Sequence, residues 1–167
     1  MRLLLIRHAI AEDRDAFAHG GRPDAERPLT EGGRKKMRRN ARGLHAVAGD
    51  LDLLATSPFT RARETAELVC EAFPDLTVTD APALAHGGSP DELLAWLLRQ
   101  RAERVALVGH EPDLGTLIAW LVTGDATPFV TLRKGGACLL TFEGPPGPGL
   151  AELRWVLPPK LLSRFGS

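Results

Sequence analysis

The sequence predicts an α/β fold, a three-layer sandwich whose mostly parallel central sheet carries helices on both faces. Short continuous apolar runs recur along the chain, and segments with apolar residues at helical spacing separate them. Such alternation is typical of parallel sheets covered by helices. A segment rich in Gly and Pro near the end lies between two further strand-like runs, which adds a C-terminal antiparallel hairpin to this layout.

Four apolar runs have the length and composition of strands that are buried on both faces. They occupy residues 3–6, 51–55, 76–79 and 105–108. The hairpin strands are predicted at 138–142 and 153–157, on either side of the turn at 143–149.

Four helices are predicted between these strands. The first two bury the stripes Met37, Ala41, Leu44, Ala48 and Ala62, Ala66, Val69, Phe73. The third begins at the N-cap Ser89, with Pro90 in its first turn and Glu92 at the capping-box position. The fourth follows Pro112 and ends near Gly124.

Residues 9–29 show little periodicity and predict a long loop, of the kind that often forms a lid or binding segment. No internal repeat or linker interrupts the chain, so we expect a single domain over 1–167. Thr30 is expected to cap the helix that follows the loop.

Composition limits the classes of partner. Lys plus Arg and Asp plus Glu both total 21, so no net positive charge favours nucleic acid or anionic lipid. The two cysteines, Cys70 and Cys138, lie in apolar patterns and form no disulfide framework. The run at 3–6 is too short for a signal peptide or membrane span. We therefore expect a cytoplasmic protein with neither a nucleic-acid nor a membrane partner.

Polar residues follow each predicted parallel strand. Arg7 and His8 follow the first, Arg61 opens the helix after the second, and His110 follows the fourth. Ligands of open α/β sheets bind at this edge. Arginine suits phosphate oxygens, and a neutral imidazole can attack phosphorus. Surrounding cations would also disfavour protonation of that imidazole. Each residue alone fits an ordinary solvated strand or helix end, so the prediction of a phosphoryl-transfer site rests on their joint placement.

Four blocks of residues closely resemble the histidine phosphatase superfamily, which includes the cofactor-dependent phosphoglycerate mutases and many phosphatases. They are residues 5–9 (LIRHA), 27–33 (RPLTEGG), 57–66 (SPFTRARETA) and 108–112 (VGHEP). The short chain and the second block are most similar to the small phosphohistidine phosphatase (SixA-like) branch.

The resemblance implies that the predicted sandwich has a phosphoglycerate mutase-like fold, and that the protein is a metal-independent hydrolase with no cofactor. His8 would attack the phosphoryl group and become a phosphohistidine intermediate, which water hydrolyses. Arg7 and Arg61 would grip the phosphate oxygens, and His110 would donate a hydrogen bond and help hold His8 in line. Arg27 would be a further substrate-binding arginine. The expected partner is a phosphorylated protein carrying phosphohistidine, or a small phosphorylated metabolite.

Two positions depart from the family pattern. The usual Arg-His-Gly is Arg-His-Ala here, with Ala9 adding a methyl group beside the site. The family's usual general-acid glutamate is replaced by His86, which we also assign to substrate binding. Loss of a strong acid favours labile P–N bonds over phosphate esters. Glu12, Asp13 or His86 could still supply a proton, and a loop histidine unrelated to chemistry is an equal alternative for His86.

Other functions stay open. The runner-up is a phosphatase for a small phosphomonoester, whereas a mutase is disfavoured because the acid and the long enclosing insertions are missing. A non-catalytic phosphate-binding module is opposed by the intact set of arginines and histidines. A metallohydrolase using His8, His86 and His110 is opposed by the neighbouring arginines.

The first predicted helix carries a basic cluster that the phosphatase site does not use. Its members are Arg34, Lys35, Lys36, Arg38, Arg39 and Arg42. A solvated helix face is the favoured interpretation. The alternative is a docking surface for an acidic partner protein.

Overall fold

A computed structural model describes residues 1–167. The strands are β1 Arg2–Arg7, β2 Leu53–Thr56, β3 Val78–Asp80, β4 Arg104–Gly109, β5 Ala137–Thr141 and β6 Glu152–Leu157. The helices are α1 Arg14–His19, α2 Glu31–Ala48, α3 Thr60–Cys70, α4 Pro90–Leu98, α5 Asp113–Thr123 and α6 Pro159–Phe165. Short 3-10 turns occupy Asp24–Glu26 and Pro82–Leu84.

All six strands form one sheet in the order β3-β2-β4-β1-β5-β6. The first four are parallel, β5 runs antiparallel to β1, and β6 runs antiparallel to β5. This arrangement confirms the mostly parallel sheet and the antiparallel C-terminal pair. The three-residue β3 and the strand β6 form the two edges of the sheet.

Alternate side chains of the central strands enter two separate cores, because successive residues of a strand point to opposite faces. Leu4 and Ile6 pack with the apolar residues of α2, α3 and α6 on one face. Leu3 and Leu5 pack with those of α4 and α5 on the other. Helices therefore cover both faces, as the sequence predicts.

Local signals place the longer helices correctly. Thr30 Oγ1 accepts a hydrogen bond from the Gly33 N–H at 2.9 Å and caps α2. Ser89 caps α4 in the same way at 3.4 Å, with Pro90 as the first helical residue. Gly124 ends α5 in the left-handed conformation, φ 81°.

The prediction of a long loop over 9–29 is wrong in part. The segment contains α1 and the turn Asp24–Glu26, and it is tied down by an isolated bridge between Ala11 and Leu29. Helix α6 is also absent from the sequence prediction. No helix of this fold has both the length and the apolar character that crossing a bilayer demands.

Candidate active site

The candidate site lies at the carboxyl edge of the sheet, where β1 and β4 end side by side. Arg7 pairs with Gly109 in the register of these strands, and the His8 N–H donates to the Gly109 carbonyl at 3.0 Å. His8 and His110 therefore leave the sheet at the same level. Their ring centroids are 5.3 Å apart.

The backbone fixes which nitrogen of His8 is free. His8 is only 6% exposed, and its Nδ1 lies 2.7 Å from the carbonyl oxygen of Ala9. A carbonyl can only accept a hydrogen bond, so Nδ1 carries the proton and Nε2 keeps its lone pair. The next backbone N–H, that of Ala9, donates to Thr65 Oγ1 at 3.0 Å, which ties the end of β1 to α3.

Both histidines are held in the neutral form. Burial lowers the pKa of His8 to about 3; the hydrogen bond to Ala9 opposes the shift, and the charges of Arg61, Arg7 and Lys134 add to it. Burial likewise lowers the pKa of His110 to about 3, helped by the charges of His8, Arg61 and His86. The neighbouring cations act in the predicted direction, but burial is the larger cause.

Two arginines flank the histidines. Arg7 Nη1 donates to the Leu132 carbonyl at 2.7 Å, while Arg61 donates to the backbone and carboxylate oxygens of Asp24 at 2.9 and 3.1 Å. The Nε of each arginine is buried without a protein partner, and so is His110 Nδ1. Burial lowers the pKa of both guanidinium groups. They remain cations at any ordinary pH.

Arg27 joins this group through Asp24. Its Nε donates to Asp24 Oδ1 at 2.8 Å and its Nη1 to the Glu12 carbonyl at 2.8 Å, and the residue is 6% exposed. Burial raises the pKa of Asp24, but the hydrogen bond from Arg27 and the charges of Arg61, Arg27 and Arg14 lower it overall. Sequence reasoning missed Asp24, whose only local signal is its position three residues before Arg27.

His86 stands at the rim rather than in the centre. Its side chain is 45% exposed, and its ring centroid lies 5.8 Å from that of His110. Its Nδ1 is 3.0 Å from Asp113 Oδ2, which also accepts the Gly87 N–H at 2.9 Å. Asp113 was not predicted either. It lies in the first turn of α5, three residues after His110.

These side chains surround an open pocket of about 440 Å³. Five cationic residues and three carboxylates line the pocket. The cations are Arg7, Arg14, Arg27, Arg61 and Lys134, and the carboxylates are Glu12, Asp13 and Glu111. This excess of positive charge, with buried N–H donors, suits a phosphate-sized anion. No group of three or more His, Cys, Asp or Glu side chains is arranged to hold a metal ion.

Known proteins are similar to this chain in sequence and in fold. The family pattern of the "Histidine phosphatase superfamily (branch 1)" matches residues 3–87. The chain is 35% identical to an uncharacterized protein of Picosynechococcus sp. over 139 residues, which are 81% of this chain and 82% of that protein. It is 30% identical to the phosphohistidine phosphatase SixA of Escherichia coli over 149 residues, which are 86% and 88% of the two chains.

A solved structure of the protein histidine phosphatase SixA complexed with tungstate superposes with a TM-score of 0.81. It is 26% identical, and the match covers 97% of this chain and 99% of that one. The sequence and structural likenesses agree with each other and with the phosphoglycerate mutase-like fold. This chain belongs to the histidine phosphatase superfamily, in its SixA-like branch, and is a phosphatase.

Proposed function

We propose that this phosphatase removes the phosphoryl group from phosphohistidine in a protein, with His8 as the nucleophile. The observation that carries the proposal is the His8 ring itself. It is neutral, buried among cations, and oriented by the Ala9 carbonyl so that Nε2 keeps its lone pair. A neutral, oriented imidazole beside phosphate-binding groups is what nucleophilic attack on phosphorus requires.

Two displacements complete the reaction. His8 Nε2 forms a bond to phosphorus while the P–N bond to the substrate imidazole breaks, and the leaving nitrogen takes up a proton from solvent. Water then attacks the phosphorus of phospho-His8, the bond to Nε2 breaks, and inorganic phosphate leaves with His8 restored. Arg7 and Arg61 disperse charge on the phosphoryl oxygens in both steps. The Nε groups of Arg7 and Arg61 and the Nδ1 atom of His110 have no hydrogen-bond partner in the protein, which supports their role in binding the phosphoryl group.

The leaving group favours a phosphohistidine substrate. His86 stands where the resemblance implies a general-acid glutamate. Imidazole is a good leaving group without such an acid, because its ring can be protonated near neutral pH, whereas a phosphate ester without an acid must expel a strongly basic alkoxide. The similarity to the E. coli phosphohistidine phosphatase supports the same substrate. We assign Arg27 and His86 to substrate binding, Arg27 through its buried side chain and His86 at the rim, where Asp113 fixes its ring.

A small phosphomonoester is the second candidate. The pocket is open, and two carboxyl groups that could protonate an alkoxide, those of Glu12 and Asp13, line it. Such a substrate would need that proton donation, which typically contributes roughly 10²–10⁴-fold to the rate.

One panel of substrates separates the two candidates. Phosphate release is measured from a phosphohistidine peptide and from several alkyl phosphates, with native protein, His8→Ala and His86→Gln. We expect preferred cleavage of the P–N bond, loss of both turnover and ³²P labelling in His8→Ala, and a smaller loss in His86→Gln. Turnover of alkyl phosphates without P–N cleavage would overturn the substrate assignment, and an active His8→Ala would overturn the nucleophile.

A further inference from the structure

A second concave surface lies directly beside the catalytic pocket. This groove, of about 350 Å³, is formed by α2, the turn at 134–135 and the start of α6. Its lining includes Ala9 and Ile10, the two residues after His8, and Lys134, which also lines the catalytic pocket. The Gly135 N–H donates to the carbonyl oxygens of Arg7 and His8 at 3.1 and 3.2 Å. A ligand in the groove would therefore lie next to His8, the residue that we propose becomes phosphorylated.

The groove carries uncompensated positive charge. Four cations line it and no carboxylate does; they are Lys36, Arg39, Lys134 and Lys160. None of the four makes an ion pair in the structure, whereas the neighbouring Arg34 and Arg38 are paired with Glu64 and Glu71 at 2.7 and 2.9 Å. The basic cluster of α2 is thus divided. Arg34 and Arg38 pair with acidic residues outside α2, whereas Lys36 and Arg39 line the groove.

The surroundings of Lys134 agree with an unbalanced positive field. Burial lowers the pKa of its ammonium group, and the charges of Arg7, Arg27, Arg14 and Arg61 lower it further. An anionic ligand that bridges the groove and the pocket would relieve this repulsion.

The shape and lining of the groove favour a polypeptide over other anions. The cations come from three separate elements, which are α2, the turn at 134–135 and α6. The lining also includes the apolar side chains of Ile10 and Pro159. No aromatic side chain lines the groove, although single-stranded nucleic acids are usually held by stacking on aromatic rings.

We propose that this basic groove docks an acidic segment of the partner protein whose phosphohistidine enters the pocket. The proposal rests on the proposed function for the identity of the phosphorylated residue, but the charge complementarity stands independently of it. Asp and Glu side chains of the segment would pair with Lys36, Arg39 and Lys160, and Lys134 would face both the segment and the phosphoryl group. The groove would then contribute to the choice of protein substrate.

Direct binding tests the groove without any reaction. A fluorescent, unphosphorylated peptide rich in Glu is titrated by anisotropy against native protein, Lys36→Glu/Arg39→Glu, and the matched control Lys35→Glu/Arg101→Glu. The control pair makes the same change in net charge at exposed, unpaired residues outside the groove. We expect about tenfold weaker binding of the peptide by the groove variant, because two exposed ion pairs with the peptide are replaced by repulsion between like charges. The control variant should change the affinity by less than about twofold.

Steady-state turnover then tests whether the groove binds the phosphorylated substrate. With a phosphohistidine peptide flanked by Glu, the groove variant should show about a tenfold higher KM and an unchanged kcat. With Gln in place of Glu, the variant should match the native protein. Circular dichroism and the thermal midpoint check that both double variants are folded.

The outcomes distinguish the two proposals. No acidic-peptide binding by the native protein, equal binding by the groove variant, or tighter binding of a single-stranded oligonucleotide would overturn the docking site. Absence of P–N cleavage by the native protein would instead overturn the proposed substrate. The binding measurement would still decide the groove in that case.

Discussion

Asp24 forms hydrogen bonds to two of the arginines that line the proposed catalytic pocket. One carboxylate oxygen accepts from Arg27 and the other from Arg61, while its backbone carbonyl accepts a second hydrogen bond from Arg61. Arginine grips phosphate through a planar fork, so its orientation matters as much as its charge. Asp24 does not need to touch the substrate for this effect, and we describe it as a positioning residue.

Replacing Asp24 should separate orientation from charge. In Asp24→Asn the arginines lose a charged acceptor, and small misplacements of positioning groups are costly, so kcat should fall roughly tenfold. The pocket also becomes more positive, so the inhibition constant of inorganic phosphate should stay within about threefold of its value for the native protein. Steady-state kinetics with phosphate as inhibitor measure both. Glu26→Gln is the control, because Glu26 pairs only with the exposed Arg22. An unchanged kcat in Asp24→Asn would contradict the positioning role.

At the scale of elements, the contact between α2 and α6 depends on a glycine. A Cβ added at Gly43 would lie 1.9 Å from the carbonyl oxygen of Leu162, so the two backbones approach closely there. Leu162 is fully buried and belongs to the core on this face of the sheet. This close approach is one reason why a helix of only seven residues is held against the domain core.

Two glycine substitutions in the same helix should therefore have opposite effects. Alanine is favoured over glycine in a helix by about 1 kcal/mol, and Gly32→Ala meets nothing within 4 Å, so it should raise the free energy of unfolding by about 0.5–1 kcal/mol. Gly43→Ala should lower it by about 1–3 kcal/mol, because overpacking outweighs the helical gain. Urea unfolding of the two variants measures the difference. Equal stability would show that α6 moves away at little cost.

The contrast between helices explains what the sequence could predict. The start of α4 follows from Ser89, Pro90 and Glu92, which act within one turn. In contrast, α1 has six residues and none of them is buried, so it leaves no apolar stripe in the sequence. Helix α6 is held by contacts with α2, which lies far from it in the sequence. Helices with an apolar stripe were predictable; α1, which has only the cap at Asp13, and α6, which is fixed by tertiary contacts, were not.

For the whole molecule, the two buried histidines link stability to pH. Their pKa is about 3 in the folded protein and about 6.5 when unfolded. Between these values the unfolded chain binds protons that the folded chain does not, so stability is fully present above pH 6.5 and falls with decreasing pH. Each histidine contributes a slope of up to about 1.4 kcal/mol per pH unit.

Urea unfolding at several pH values between 7.5 and 4.5 should show this loss. The window avoids carboxyl groups with lowered pKa, such as those of Asp24 and Asp52, whose ordinary pKa of 3.8 lies below it. In His8→Gln only one of the two buried histidines remains. The slope of the free energy of unfolding against pH should therefore correspond to about one proton fewer than in the native protein. The idea fails if this variant keeps the native slope.

The candidate site was predictable only where the fold rule is general. Arg7 ends β1, His8 and His110 directly follow β1 and β4, and Arg61 lies in the first turn of the helix after β2. Parallel strands end at a common edge, so the closeness of these residues followed from chain order. The partners that orient them did not. Asp24 comes from the 9–29 segment and Asp113 meets His86 across 27 residues of chain. Side-chain directions in loops decide such pairs, and no periodic pattern encodes them.

The two edges of the sheet also restrict how other proteins can associate with this one. β3 has only three residues, too few to template a long added strand. β6 presents Glu152 and Arg154, which are exposed and paired with each other at 2.7 Å, and it ends before two prolines, Pro158 and Pro159. An edge that is short, as at β3, or charged, as at β6, is a poor template for intermolecular strand pairing, including the pairing that leads to aggregation. We therefore expect partners to contact the helix and loop surfaces, where side chains rather than backbone groups discriminate between them.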